Sequence, residues 1–166
     1  MKVINIKNQE PSEWRVWYNE WLEGFSEEFK GSVLDVGKSQ YWDYSNLFEK
    51  YFTIDNDEKL DPTITCDISA DKLMIEGTYN LILCNGMYEQ LEGEPEIMIK
   101  NVYNLLKKGG TAIFGFVGQG YPAYGSRDLG RRIKDIKEAK ELLKDFEIQS
   151  TKSFDDKYHY LIVKKI

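Results

Sequence analysis

The chain has little of what metal chemistry, secretion, membrane insertion and nucleic-acid binding each require. Its 166 residues include one histidine, two cysteines and four prolines. The lone His159, with no cysteine pair and no carboxylates clustered at ligand spacing, offers a metal ion no ligand set, so no metal is expected. Cys66 and Cys84 stand in separate apolar, strand-like contexts, the pattern of buried free thiols rather than of a disulfide framework. No apolar run approaches the roughly 18 residues of a membrane span. The opening Met-Lys-Val-Ile-Asn-Ile-Lys is too short and polar for a signal peptide, and a cytoplasmic protein is expected. Positive charge is not in excess either. A formal net charge of −6 and a pI near 5.0 exclude a broad nucleic-acid surface, which clustered Lys and Arg would have to supply.

What the chain does have is enough apolar and aromatic content, 42% and 14%, for one domain with a substantial core. Residues 1–166 read as a single unit: an arm and helix over 1–30, then a core over 31–166. Pro11 and Ser12 signal the start of a helix carrying Trp14, Trp17, Tyr18, Trp21, Leu22, Phe25 and Phe29 at spacings of three and four, with Gly31 as its stop. That stripe either packs on a sheet or serves as a lid or homodimer surface. Ile4 and Ile6 alternate with polar neighbours, as in a brief edge strand or an arm laid over the domain.

The segment from Gly31 to Tyr41 organises the rest. Val33, Leu34 and Val36 form an apolar run that stops at Gly37, as a buried parallel strand does at its carboxyl end. Tyr51-Phe-Thr-Ile-Asp55 repeats the design, an apolar strand closed by an acid. Adjacent in one sheet, the two would set Asp35, Gly37 and Asp55 along the edge where open α/β sheets bind ligands, with Asp55 placed to accept ribose hydroxyls. Gly37-Lys38-Ser39 is not a P-loop, because Ser32 stands where that pattern needs its first glycine. A Gly-x-Gly-x-x-Gly fingerprint fails too, since Ser39 and Trp42 occupy its later glycine positions.

After Gly37 a loop over Lys38–Tyr44 is expected to lead into a short helix through Leu47 and Phe48. Further along, Thr65-Cys-Asp67-Ile68 is a short strand ending in an acid, and Asn80 to Asn85 is another buried strand. A helix is expected from Glu94 to Lys107, stopped by Gly109-Gly110, with a fifth strand over Thr111–Phe116. A long Gly, Pro and aromatic loop follows from Val117 to Asp128. Ile133 to Phe146 reads as the last helix, and segments beginning at Phe146 and Tyr158 as a closing strand pair.

Taken together and in this order, Val33–Gly37, Phe52–Asp55, Thr65–Ile68, Asn80–Asn85 and Leu105–Phe114 resemble the successive motifs of class I S-adenosylmethionine-dependent methyltransferases. Gly37-Lys-Ser-Gln-Tyr41 is similar to a segment of a small subgroup associated with glycan and cell-surface biosynthesis. The resemblance implies a Rossmann-like, doubly wound, mostly parallel seven-stranded α/β sheet with one antiparallel strand near the C-terminus. It implies S-adenosylmethionine as cofactor, contacted by Asp35, Gly37, Lys38, Ser39, Tyr41, Asp55, Asn56, Asp67, Ile68 and Asn85. In it Lys38, Ser39 and the Gly37 amide face the methionine carboxylate, Asp67 and Ile68 the adenine, and Asn85 the sulfonium. Glu89, Tyr121, Tyr124 and Arg127, with Arg131, would meet a small-molecule or glycan-type acceptor. Gln90 stands where the subgroup often has a histidine, so no catalytic base is assigned. The same fold without catalysis, retaining or having lost the cofactor pocket as a binding module, is the other reading of these residues.

Overall fold

The computed structural model describes residues 2–122 and 127–166. Alternation of apolar side chains along the strands divides the core in two. Val33, Leu81, Leu83 and Ile113 point to one side of the sheet, and Leu34, Ile82, Cys84, Ala112 and Phe114 to the other. Strand β1 (Ile4–Asn5) and helix α1 (Glu13–Ser26) precede the first central strand β2 (Ser32–Val36). Then come β3 (Trp42–Asp43), β4 (Lys50–Asp55), β5 (Ile64–Thr65) and β6 (Tyr79–Asn85). Helix α2 (Pro95–Leu105), β7 (Leu106–Val117), α3 (Ile136–Leu142), β8 (Glu147–Phe154) and β9 (Tyr158–Lys164) complete the chain.

The main sheet has seven strands in the order β5-β4-β2-β6-β7-β9-β8, with β9 antiparallel to both neighbours. It is the expected mostly parallel α/β sheet with a single reversed strand. Helix α2 covers one face with Met98, Ile99, Val102 and Leu105. Helix α1, N-capped by Ser12, covers the other. Tyr18 stacks on Tyr160 at 5.4 Å, Trp14 on Tyr158 at 5.7 Å, and Trp17 lies 5.0 Å from Tyr160. The aromatic stripe thus packs on the chain's own sheet, each fully buried ring contributing roughly 1.5–3 kcal/mol. Phe29 lies beyond the helix, edge-on to Phe48.

Three segments differ from the sequence reading, each for a local reason. After Gly37 no α-helix forms; Ser39 Oγ accepts the N–H of Tyr41 and Trp42, and Asp43 accepts that of Ser45. These bonds fix a turn, a two-residue strand paired with β1 and a single 3₁₀ turn at Ser45–Leu47. Gly109-Gly110 does not stop α2, which ends at Leu105 and passes straight into β7. The glycines instead absorb a bulge, in which Tyr79 pairs with Leu106 but Leu81 with Thr111. The last helix is shorter than its apolar pattern, because Asp135 caps it at Lys137 and Glu138. No helix among the described residues is long and apolar enough to cross a membrane.

Candidate functional site

Parallel pairing of β2 with β4 puts Val36 beside Ile54, so both strands end on the same side of the sheet. The Gly37 N–H continues the ladder to the Ile54 carbonyl at 2.8 Å while its backbone turns at φ +84°. A Cβ there would lie 2.3 Å from Met87 Sδ, so the turn is a cradle that a side chain would fill. Asp55, 4% exposed, is held by the N–H groups of Lys38 and Asp57 at 3.0 and 2.9 Å.

Above these tips lies a hollow of about 390 Å³. Gly37, Asn85 and Gly86 line its base, and Trp14, Arg15 and Tyr18 bring α1 down as a wall. The helix is therefore both core and cavity wall. Lys38, Ser39, Tyr41 and Tyr121 border the same space. A second, smaller hollow of about 20 Å³ lies beside Asp55, Asn56, Asp67 and Ile68. Met87, Gln90 and Arg127 line both.

Asp35 sits on the larger hollow, 6% exposed, and its carboxylate accepts the Tyr51 hydroxyl. Burial pushes its pKa up to about 7, against the Tyr51 hydrogen bond and the Arg15 charge, which pull it down; Asp43 adds to the rise. Because the folded value exceeds the unfolded one, the folded state holds the extra proton. That contribution to stability is complete below about pH 4 and is lost as pH rises through about 7. Asp35→Asn is therefore expected to be more stable than the wild type at pH 8, by on the order of a few kcal/mol, and no more stable near pH 4. Urea melts across that range check it, and parallel curves for the two proteins would refute it.

The structure brings most of the sequence candidates together but gives several a different partner. The Lys38 ammonium donates to the Asp61 carbonyl at 2.6 Å. Ser39 Oγ is engaged in its turn, and the Tyr41 ring lies beneath Lys7. Asp67 accepts from the Ser69 N–H and hydroxyl, while Ile68 is buried beside it. Asn85 Oδ1 accepts the Tyr158 hydroxyl at 2.6 Å, which leaves its buried Nδ2 without a protein partner. Glu89 is fully buried and is not among the residues around either hollow. Tyr121 meets Trp14 edge-on at 5.1 Å. Arg131 donates to the Leu91 and Gly93 carbonyls, a tie between loops. Tyr124 lies outside the described residues.

Arg127, expected beside the acceptor, instead grips Asp55 with two nitrogens at 3.0 and 3.2 Å and donates to Asn56 at 3.2 Å. Arg15 lines the larger hollow and was not singled out from the sequence, where it is one polar position on an aromatic helix. His159 is buried, bonded through Nδ1 to Ser153 Oγ, and burial lowers its pKa. It stands in β9, outside both hollows.

No family model matches the chain, and no curated protein matches it in sequence. Solved structures do match in shape. N-methyltransferase NodS from Bradyrhizobium japonicum superposes with a TM-score of 0.69 at 14% identity, over 95% of this chain and 99% of that one. A S-adenosylmethionine-dependent methyltransferase from Clostridium acetobutylicum gives 0.67 at 15% identity, over 95% and 93%. The 1,6-didemethyltoxoflavin-N1-methyltransferase of Burkholderia thailandensis, solved with bound 1,6-didemethyltoxoflavin and S-adenosylhomocysteine, gives 0.64 at 17% identity, over 90% and 80%. At such identities the likeness is one of architecture: the chain has the Rossmann-like fold of class I S-adenosylmethionine-dependent methyltransferases.

Proposed function

We propose that the chain is an S-adenosylmethionine-dependent methyltransferase acting on a small-molecule acceptor. One observation carries this reading: Gly37 and Asp55 end adjacent parallel strands on the same side of the sheet, beside a hollow large enough for part of a nucleoside ligand and an acceptor. The cradle at Gly37, which a Cβ would fill, and the buried Asn85 amide without a partner fit a bound group there.

Asp55, aligned by two backbone N–H groups, would accept the ribose hydroxyls once Arg127 yields them its place. Asp67 and Ile68 would flank the adenine and Asp35 the amino-acid end. The cofactor supplies an activated methyl on a sulfonium. The chain's part is to align acceptor and methyl, positioning that can supply roughly 7–11 kcal/mol. Asn85, fixed by Tyr158, would help orient the acceptor, with Tyr121 and Trp14 as its aromatic walls. Those walls, with Trp42, suit a planar or sugar ring. A glycan-type acceptor, as in the subgroup that Gly37–Tyr41 resembles, is the narrower form of the proposal.

The test is thermal melting with S-adenosylmethionine and S-adenosylhomocysteine. At a hundredfold excess over Kd a bound ligand stabilises by about 2.7 kcal/mol. For a chain of this length that is a shift of roughly 5–10 °C. No shift with either compound would overturn the reading; a shift without methyl transfer to any acceptor in a labelled small-molecule extract would favour the binding module.

A further inference from the structure

Arg15 projects from the first turn of α1 into the aromatic wall of the larger hollow. A guanidinium carries five N–H donors and a charge that it cannot shed. Among the described residues its side chain has one hydrogen-bond acceptor, the Tyr44 hydroxyl at 2.8 Å, which in turn donates to Asn19 at 3.0 Å. The ion pairs found among those residues are Arg127–Asp55, Arg132–Asp128 and Lys144–Glu141, none of which involves Arg15. Around it stand rings instead: Tyr18 at 5.5 Å and Trp42 at 5.8 Å from the guanidinium carbon. A guanidinium walled by rings and in no ion pair, with Asp35 as the acid whose charge it feels and that acid already accepting the Tyr51 hydroxyl, is an expensive arrangement unless a ligand completes it.

A second, independent feature points into the same space. The Tyr18 side chain is wholly buried, lines the hollow, and its hydroxyl finds no protein partner. The charge of the ligand follows from what else is available. The Lys38 ammonium is bound to the Asp61 carbonyl and Arg127 sits on Asp55 at the partition between the two hollows, so among the described residues lining this hollow Arg15 is the cation with neither a carboxylate nor a carbonyl partner. Asp35 contributes acidity to the same wall. One guanidinium beside one acid does not suit a phosphate dianion. It suits a planar monoanion that accepts two parallel N–H bonds.

We propose that Arg15 is the carboxylate-binding residue of this hollow. The carboxylate has two sources, the amino-acid end of the S-adenosyl ligand, which rests on the reading given above, or a carboxylate on the acceptor. In the first case Asp35 is placed to take the neighbouring ammonium of the same amino acid.

Tryptophan fluorescence, reported by Trp14 and Trp42 on the cavity wall, tests this with three probes on the full chain. These are S-adenosylhomocysteine, 5′-methylthioadenosine, which keeps the nucleoside and sulfur but lacks the amino acid, and benzoate added to the protein with S-adenosylhomocysteine present. Arg15→Gln is expected to weaken S-adenosylhomocysteine at least tenfold and leave methylthioadenosine within twofold, with Arg15→Lys recovering part of the loss. That result assigns the carboxylate to the cofactor. An unchanged S-adenosylhomocysteine affinity with benzoate binding abolished supports the proposal and assigns it to the acceptor. Arg15→Gln that is folded by circular dichroism and alters neither probe overturns it. Wild-type protein that binds neither nucleoside overturns the methyl-transfer reading instead; benzoate alone then decides Arg15, and no response, or one indifferent to Arg15→Gln, overturns this proposal too.

Discussion

Asp55→Ala is expected to abolish the thermal shift given by S-adenosylhomocysteine and to raise its Kd by a hundredfold or more. A carboxylate accepting two ribose hydroxyls makes two charge-assisted bonds of about 1.5–3 kcal/mol each, and every 1.4 kcal/mol is a factor of ten. The substitution also releases Arg127, so a companion variant is needed to separate the effects. In the structure both Asp55 oxygens are fully engaged: Oδ1 accepts from Asp57 and Arg127, and Oδ2 from Lys38 and Arg127. Under the proposed reading ribose hydroxyls would compete with the guanidinium, which is 36% exposed and has solvent to move into. Arg127→Ala removes that competitor and opens the partition between the two hollows, both of which it lines. It is expected to tighten S-adenosylhomocysteine severalfold, the opposite sign to Asp55→Ala. Calorimetric titration of the two variants reads both. Equal weakening in both would mean that the ion pair, rather than the acid, holds the site together, and an Asp55→Ala protein that binds normally would remove Asp55 from the site.

The sequence exposed the strand tips and concealed what leans over them. Val33–Gly37 and Tyr51–Asp55 are contiguous runs whose period, closing glycine and closing acid are set by neighbours a few residues away, so their ends could be aligned before any coordinates. The aromatic spacing of α1 and the closing strand pair were legible for the same reason, whereas the reversal of one strand came only from the family resemblance. Arg15 was not, because its environment is made by Tyr44 and Trp42, which lie far from it in the chain and close only on folding. Arg127 reaches Asp55 across seventy-two positions. Nothing in its own segment distinguishes a ligand for an acceptor from a partner for Asp55. Lys38 reads, next to Gly37, as an anion ligand, and its ammonium meets the Asp61 carbonyl, a partner twenty-three positions away that its own segment does not announce. The short helix expected through Leu47 and Phe48 is reduced to a single 3₁₀ turn, with Asp43 bonding the N–H of Ser45 at its start.

The largest loss of stability is expected from Gly118→Ala, at a residue that reads in the sequence as part of a loose Gly-Gln-Gly connector. Gly118 lies just past the end of β7, where the turn between β8 and β9 docks against it. Its N–H donates to the Lys157 carbonyl at 2.8 Å, and that of Gly120 to the Asp156 carbonyl at 2.9 Å. A Cβ on Gly118 would stand 2.0 Å from the Asp156 carbonyl oxygen and 3.0 Å from His159 Nε2. The first of these is main chain in a hairpin paired along its length, so the contact cannot be relieved by a rotamer change. Overpacking of this kind costs about 1–3 kcal/mol, and loss of the two backbone bonds adds roughly 0.5–1.5 kcal/mol each. Together they predict a fall in melting temperature of roughly 10 °C for a chain of this size. Gly24→Ala is the control: it lies inside α1, nothing stands within 4 Å of its added Cβ, and it should stabilise by up to about 1 kcal/mol. The functional consequence follows from what Gly118 anchors. Tyr121 bonds back to the Gly118 carbonyl, and Ile133 bridges the end of the same strand, so the segment bearing Arg127 is tied down at both ends through this junction. A Gly118→Ala protein that melts with the wild type would show that the hairpin turn yields, and that the loop over the site is held elsewhere.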